Sequence, residues 1–155
     1  MYHFYTDGST KGNGTKDSYG AWGYVCIDEK EKELARDCSA EKETTNQRME
    51  LMALIKACEK ASEMFDDFTE VTFHSDSAYA MNCYFQHWYI NWQINGWKNS
   101  KKQPVANRDL WLQLIPHFGK ANFYFVKVKG HAGNKWNEVV DNMVQTAAQN
   151  LKNGG

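Results

Sequence analysis

Two prolines in 155 residues leave no proline-rich linker, and no apolar run approaches the roughly 20 residues that a membrane-crossing helix needs. The first residues, Met-Tyr-His-Phe-Tyr, have neither the basic n-region nor the long apolar h-region of an export signal, so a cytoplasmic protein with no membrane partner is expected. Cysteine is scarce as well. Cys26, Cys38, Cys58 and Cys83 form no C-x-x-C pair and have no histidine at zinc-ligand spacing, which argues against a structural zinc site and for free, mostly buried thiols in a reducing compartment. Charge of one sign is missing too: 18 Lys plus Arg stand against 19 Asp plus Glu, a net of −1, so the whole chain gives no electrostatic argument for a nucleic-acid partner. No internal repeat and no linker interrupts the sequence. Its composition, 42% hydrophobic, 14% aromatic and 24% charged, excludes intrinsic disorder, and its length suits one domain burying about two-thirds of its unfolded surface.

Local charge is less even. Residues 28–43 carry a net of −3, whereas residues 86–108 carry Lys98, Lys101, Lys102 and Arg108 without an acid. That basic stretch, which also holds Trp88, Trp92 and Trp97, is the first sign of a phosphate-bearing partner. Around it the chain reads as strands over Tyr2–Thr6, Gly20–Ile27 and Lys32–Cys38. A helix capped by Thr44 or Thr45 then runs to about Met64, followed by a strand over Val71–His74 and a short helix to Phe85. After the insert come a helix over Asn107–Phe118, a strand over Phe123–Val128 and a final helix over Asn137–Leu151, with Asn-Gly-Gly frayed at the end. Residues 9–18 read as a loop without core residues. The order predicts a mixed sheet with helices packed on it.

Four acids fit a purely structural account badly. Asp7, in Tyr-Thr-Asp-Gly-Ser, follows a strand and reads alone as a turn or cap residue. Asp76, in His-Ser-Asp-Ser, repeats that arrangement and could cap the next helix. Strand ends in sheets with helical crossovers are also where ligands bind. Glu50 falls on the helix side of Leu54, Ala57 and Ala61, opposite Arg48, Lys56, Glu59, Lys60 and Glu63, so it points toward the core, where a carboxylate is costly unless paired or bound to a cation. Asp141 reads as a first-turn acid of the last helix, favoured there by the macrodipole. Together the four make a divalent-cation cluster plausible, since Mg²⁺ recruits carboxylates, water and substrate phosphates, and two such ions suit an in-line phosphoryl displacement.

Tyr-Thr-Asp-Gly-Ser (5–9), Thr-Thr-Asn-Gln-Arg-Met-Glu-Leu (44–51), Ser-Asp-Ser (75–77), Gly-His-Ala-Gly (130–133), Asn137 and Asp141 occur in this order, each on its predicted element. With them the chain resembles type 1 ribonuclease H, the bacterial ribonuclease HI form, over residues 2–150. The resemblance implies an α/β fold, a ribonuclease H-like five-stranded mixed sheet flanked by α-helices, in one domain over 1–155. It also implies an endonuclease that cuts the RNA strand of RNA/DNA hybrids with Mg²⁺ or Mn²⁺, leaving 5′-phosphate and 3′-hydroxyl ends, and a monomer is expected. Two ions would be held, with substrate bound, by Asp7, Glu50, Asp76 and Asp141. His131 takes the place of the family's mobile-loop histidine, which serves proton transfer or product release.

By the same resemblance Asn13, Asn46 and Gln47 reach the minor groove of the hybrid, and amides suit that role because each both donates and accepts. Thr45 and Asn107 form a pocket for a DNA-strand phosphate, although Thr45 also suits a helix cap. The insert at about 86–104 resembles the basic handle of the bacterial enzymes. It contributes Trp88, Trp92, Lys98, Lys101 and Lys102, but it departs from the family at Gln93-Ile94-Asn95, where a strongly basic handle carries lysines and arginines. Weaker and less salt-sensitive hybrid binding is the expected consequence. Two other readings share these residues: another nuclease of the same fold, such as a resolvase or transposase core, and a non-catalytic hybrid-binding module. The Thr-Asn-Gln-Arg-Met-Glu segment and the handle speak against the first, and the complete set of four carboxylates against the second.

Overall fold

In a computed structural model that describes residues 1–128 and 134–154, side chains along the first strand alternate between two cores. This strand, β1 (Tyr2–Lys11), turns Phe4 toward one core and Tyr5 toward the other, as period-two alternation requires. It pairs antiparallel with β2 (Tyr19–Ile27), which pairs antiparallel with β3 (Glu33–Lys42). On its other side β1 runs parallel to β4 (Val71–Ser75), and β4 parallel to β5 (Phe123–Lys127), giving the order β3-β2-β1-β4-β5. The expected five-stranded mixed sheet is therefore present.

Helix α1 (Asn46–Met64) buries Leu51, Leu54, Ile55, Ala57 and Ala61 against the face that carries Phe4, Tyr24, Phe73 and Phe125. The short helices α2 (Ala78–Gln86) and α3 (Trp88–Ile94) and the longer α4 (Arg108–Phe118) add Met81, Trp92, Trp111 and Leu114 to the same core. Helix α5 (Lys135–Gly154) covers the opposite face of β1–β3, with Trp136 and Val140 on Val25 and Ile27, and Val144 and Ala148 on Ala21. Among the described residues no helix is long and apolar enough to cross a membrane. Cys26, Cys58 and Cys83 are buried free thiols and Cys38 is half-buried, as expected.

Several expected boundaries move. β1 does not stop before Asp7 but runs on to Lys11, because pairing with β2 continues from Asp7↔Gly23 to Lys11↔Tyr19. The stretch read as a coreless loop thus buries Thr10, and it buries Ser18, whose hydroxyl accepts from the Thr44 N–H at 2.9 Å. β3 extends to Lys42 for the same reason, having β2 as partner throughout. α5 starts at Lys135, earlier than Asn137, because Asn134 Oδ1 accepts from the N–H groups of Trp136 and Asn137 at 3.0 and 3.1 Å. It also continues through Gly154, taking in two of the three residues read as frayed, while Gly155 lies outside the described residues.

Gly8 fixes how closely α1 approaches the sheet. A methyl group there would run into the backbone of Met49 and Glu50, so only glycine lets β1 lie against the first turns of α1. Gly8→Ala should lower unfolding stability by about 2–3 kcal/mol, since backbone cannot yield as a flexible side chain does. Urea denaturation measures it, and an unchanged midpoint would contradict this packing.

Candidate active site

The parallel ladder of β1 and β4 ends at Thr6↔Ser75. One step further in the same register are Asp7 and Asp76, so two carboxylates emerge side by side where β4 stops and β1 continues. Asp76 does not cap α2. Ser77 does, its side chain accepting from the Ala80 N–H at 3.1 Å. Glu50, the fifth residue of α1, is brought beside β1 by the Gly8 contact and is hydrogen-bonded to the Ser77 side chain. Asp141 is the seventh residue of α5, in its second turn rather than its first, and meets Asp7 through a side-chain hydrogen bond. The macrodipole reading of Asp141 accordingly weakens, since that effect fades within the first turn.

The four acids are therefore linked, Asp7 to Asp76 and Asp141, and Glu50 to Asp76. Asp7 is only 9% exposed, and one of its oxygens, Oδ1, accepts the Gly8 N–H at 2.9 Å. Burial, then the charge of Asp76 and the contact with Asp141, push its pKa up to about 8. Burial also raises Glu50, with Asp76 adding to the shift and the Ser77 hydrogen bond opposing it. Among the described residues no ion pair involves Asp7, Glu50 or Asp141. No three His, Cys, Asp or Glu side chains of the described residues form a ready-made metal cage either. The donor set nonetheless fits a hard divalent cation: Mg²⁺ takes one or two carboxylates and fills its remaining positions with water and phosphate oxygens.

The expected phosphate pocket is assembled through Arg48. Its backbone N–H donates to Thr45 Oγ1 at 3.1 Å, making Thr45 the cap of α1, and its guanidinium donates to Asn107 Oδ1 at 3.2 Å and to both carboxylate oxygens of Asp109. Tyr79 holds the other end of the Asn107 amide, its hydroxyl oxygen accepting from Asn107 Nδ2 at 3.2 Å and from Trp111 Nε1 at 3.1 Å. One amide hydrogen of Asn107 and the hydroxyl hydrogen of Thr45 are left over for an anion. Arg48 and Tyr79 are site residues that sequence reasoning missed, since their hydrogen bonds fix the positions of Thr45 and Asn107. Arg48 lies within a quoted motif but reads as a surface side chain, and Tyr79 carries no local signal at all.

Asn13 and Asn46 are tied to this end of α1. Asn13 Oδ1 accepts from the Asn46 N–H at 2.8 Å, Asn46 Oδ1 accepts from the Thr10 N–H at 2.8 Å, and Gln47 beside them is exposed. The insert residues form a separate cluster. Trp88, Trp92 and Lys98 line a groove of about 610 Å³ together with Ile94 and Asn95. Trp92 also packs on Trp97 and Trp111, at ring separations of 5.8 and 5.3 Å, so its inner side is structural. Lys101 and Lys102 are exposed in the turn between Lys98 and Pro104. His131 lies outside the described residues.

The family model for RNase H matches residues 1–149. The Ribonuclease H of Syntrophomonas wolfei subsp. wolfei is 47% identical over 148 residues, covering 95% of this chain and 95% of that protein. That of Treponema denticola is 37% identical over 158 residues, covering 95% and 96%. Among solved structures, LC9-RNase H1, a type 1 RNase H with the type 2 active-site motif, superposes with a TM-score of 0.79 at 26% identity, covering 96% of this chain and 72% of that one.

An acid whose folded pKa exceeds its unfolded value stabilises the fold only while it keeps its proton. For Asp7 that contribution is whole below 3.8 and is lost as pH rises through about 8. Asp7→Asn should therefore melt like the parent in acid and above it in mild alkali when both are kept in EDTA. A gap that fails to widen with pH would return Asp7 to a structural cap.

Proposed function

The chain belongs to the ribonuclease H family, and on that premise we propose that Asp7, Glu50, Asp76 and Asp141 are its catalytic carboxylates. The activity is hydrolysis of the RNA strand of RNA/DNA hybrids, and it is metal-dependent. The observation that carries the residue assignment is the convergence of four acids from β1, α1, the end of β4 and α5, with Asp7 held protonated by burial and by its acidic neighbours. We assign Mg²⁺, with Mn²⁺ as a substitute, and two ions once substrate is bound. The cations supply Lewis acidity toward the scissile phosphate and activation of a water, which makes 5′-phosphate and 3′-hydroxyl the ends formed.

The remaining residues bind and orient. Asp7, which burial and its acidic neighbours keep protonated, would give up that proton to a bound cation, so the site would be charged only when charge is needed. The amides of Asn13, Asn46 and Gln47 read minor-groove edges and 2′-hydroxyls from the start of α1, where Asn46 is braced from both sides. Thr45 and Asn107 take a phosphate of the DNA strand, which sets register without reading sequence. Trp88 and Trp92 offer the outer surfaces of their rings, and Lys98, Lys101 and Lys102 offer charge, from a handle-like insert on what we read as a single domain acting as a monomer in the cytoplasm. His131 is assigned to proton transfer or product departure.

Labelled RNA/DNA hybrid, duplex DNA, duplex RNA and single-stranded RNA, each incubated in Mg²⁺ and in EDTA, test this reading. Only the hybrid should be cut, only with Mg²⁺, and Asp7→Asn, Glu50→Gln, Asp76→Asn and Asp141→Asn should each lose on the order of 10²-fold or more in turnover. Cleavage that survives EDTA would overturn it. For the phosphate pocket, Tyr79→Phe should raise KM for the hybrid about fivefold, the worth of one hydrogen bond, with kcat near the parent's. A methylphosphonate at the contacted DNA position should erase that difference, and a persistent difference would take Tyr79 out of the pocket.

A further inference from the structure

Helix α5 covers only part of its face of the sheet. The register places Tyr5, His74 and Val126 in one row across β1, β4 and β5, and His3, Thr72 and Tyr124 in the next. Tyr5 packs into the core beneath α5, whereas Tyr124 and Val126 at the far edge are 43% and 40% exposed. His3 and His74 sit on the border between the covered and open parts, both half-buried. His3 Nδ1 lies 3.0 Å from His74 Nε2, with ring centroids 5.2 Å apart and planes tilted by 39°. Tyr5 stacks on His74 at 4.3 Å and 5°, which holds that ring in place.

We propose that His3 and His74 form a binding site for an imidazole-preferring transition-metal ion, Ni²⁺ or Cu²⁺, separate from the carboxylate centre. A nitrogen–nitrogen contact this short between two imidazoles places one N–H against the other ring's lone pair. Moving that proton to the far nitrogen of its own ring leaves two lone pairs on one gap, with no proton lost. Metal–imidazole bonds run about 2.0–2.1 Å, so donors 3.0 Å apart subtend roughly 91–97° at the ion. That angle belongs to neighbouring positions of a square-planar or octahedral ion. A tetrahedral ion would need the nitrogens about 3.4 Å apart, which favours Ni²⁺ or Cu²⁺ over Zn²⁺. Water would complete the ion's coordination, because no third His, Cys, Asp or Glu among the described residues groups with His3 and His74. Two charges act on His3 from nearby: the amine of Met1, which opposes a cation, and Glu29, which favours one and binds that amine at 3.0 Å. The amine has the larger effect of the two, so no net charge draws the cation in and affinity rests on the imidazoles. Mg²⁺, which prefers oxygen donors, is left to the carboxylates.

Calorimetric titration of the full chain with Ni²⁺ alone tests the site, using the parent, His3→Gln, His74→Gln and Asp7→Asn, each checked for folding by thermal melting. The parent should bind one Ni²⁺, each histidine variant should bind about tenfold or more weakly, and Asp7→Asn should bind like the parent. Parent-like affinity in either histidine variant, loss of binding in Asp7→Asn, or no saturable binding by the parent would overturn the proposal. Should a variant fail to fold, nuclear magnetic resonance of the parent decides. Substoichiometric Ni²⁺ broadening the ring protons of His3 and His74 first supports the site, and broadening those of any other histidine first overturns it.

Discussion

Asp7 and Asp76 emerge together past the end of one parallel ladder, and burial denies Asp7 the water that would screen them from each other. Asp141 arrives on the same point from α5, and Glu50 faces it from α1. Burial, then Asp76 and Asp141, raise the Asp7 pKa to about 8, so in neutral solution without a cation Asp7 keeps a proton. A fold that sought stability alone would not gather four acids from four elements. Here it does so because β1 outruns β4, Gly8 lets α1 close on β1, and Asn134 starts α5 early enough to bring its second turn onto Asp7.

The two faces of the sheet divide the labour. The α1 face holds the larger core and, through α2 and α4, positions the proposed phosphate pocket: Arg48 from α1, Tyr79 from α2 and Asn107 at the head of α4 form one chain of hydrogen bonds. The α5 face holds a smaller core and delivers Asp141. The proposed catalytic carboxylates and the proposed phosphate pocket thus rest on different packing, and Glu50, on the same helix as Arg48, connects them. The insert adds a third and more independent surface, whose inner tryptophans anchor it to Trp111 of α4.

Glu50 was legible in the sequence because helical periodicity is local: its position relative to Leu54, Ala57 and Ala61 follows from residue spacing alone. Asp7 was half legible. Asp-Gly-Ser reads as a turn, and what keeps those residues in a strand is pairing with β2, a long-range choice that no local pattern carries. In Ser75-Asp76-Ser77 any of three side chains suits a cap, and only the fold selects Ser77, which leaves Asp76 for the cluster. The order of the expected elements survived such errors because they shifted boundaries, and the one element missed was the short helix α3 inside the insert. The hydrogen bonds of Tyr79 to residues 28 and 32 positions away lay beyond any spacing argument.

That acids gathered against their own repulsion hold a proton until a cation displaces it is the central claim, and counting protons tests it most directly. Mg²⁺ titrations of the chain without substrate, run by calorimetry in buffers of different ionisation enthalpy, give the number released per ion bound. The account predicts release of about one proton in neutral solution, fading as pH passes about 8, where Asp7 has already lost it. Mg²⁺ binding with no proton released at neutral pH would contradict it.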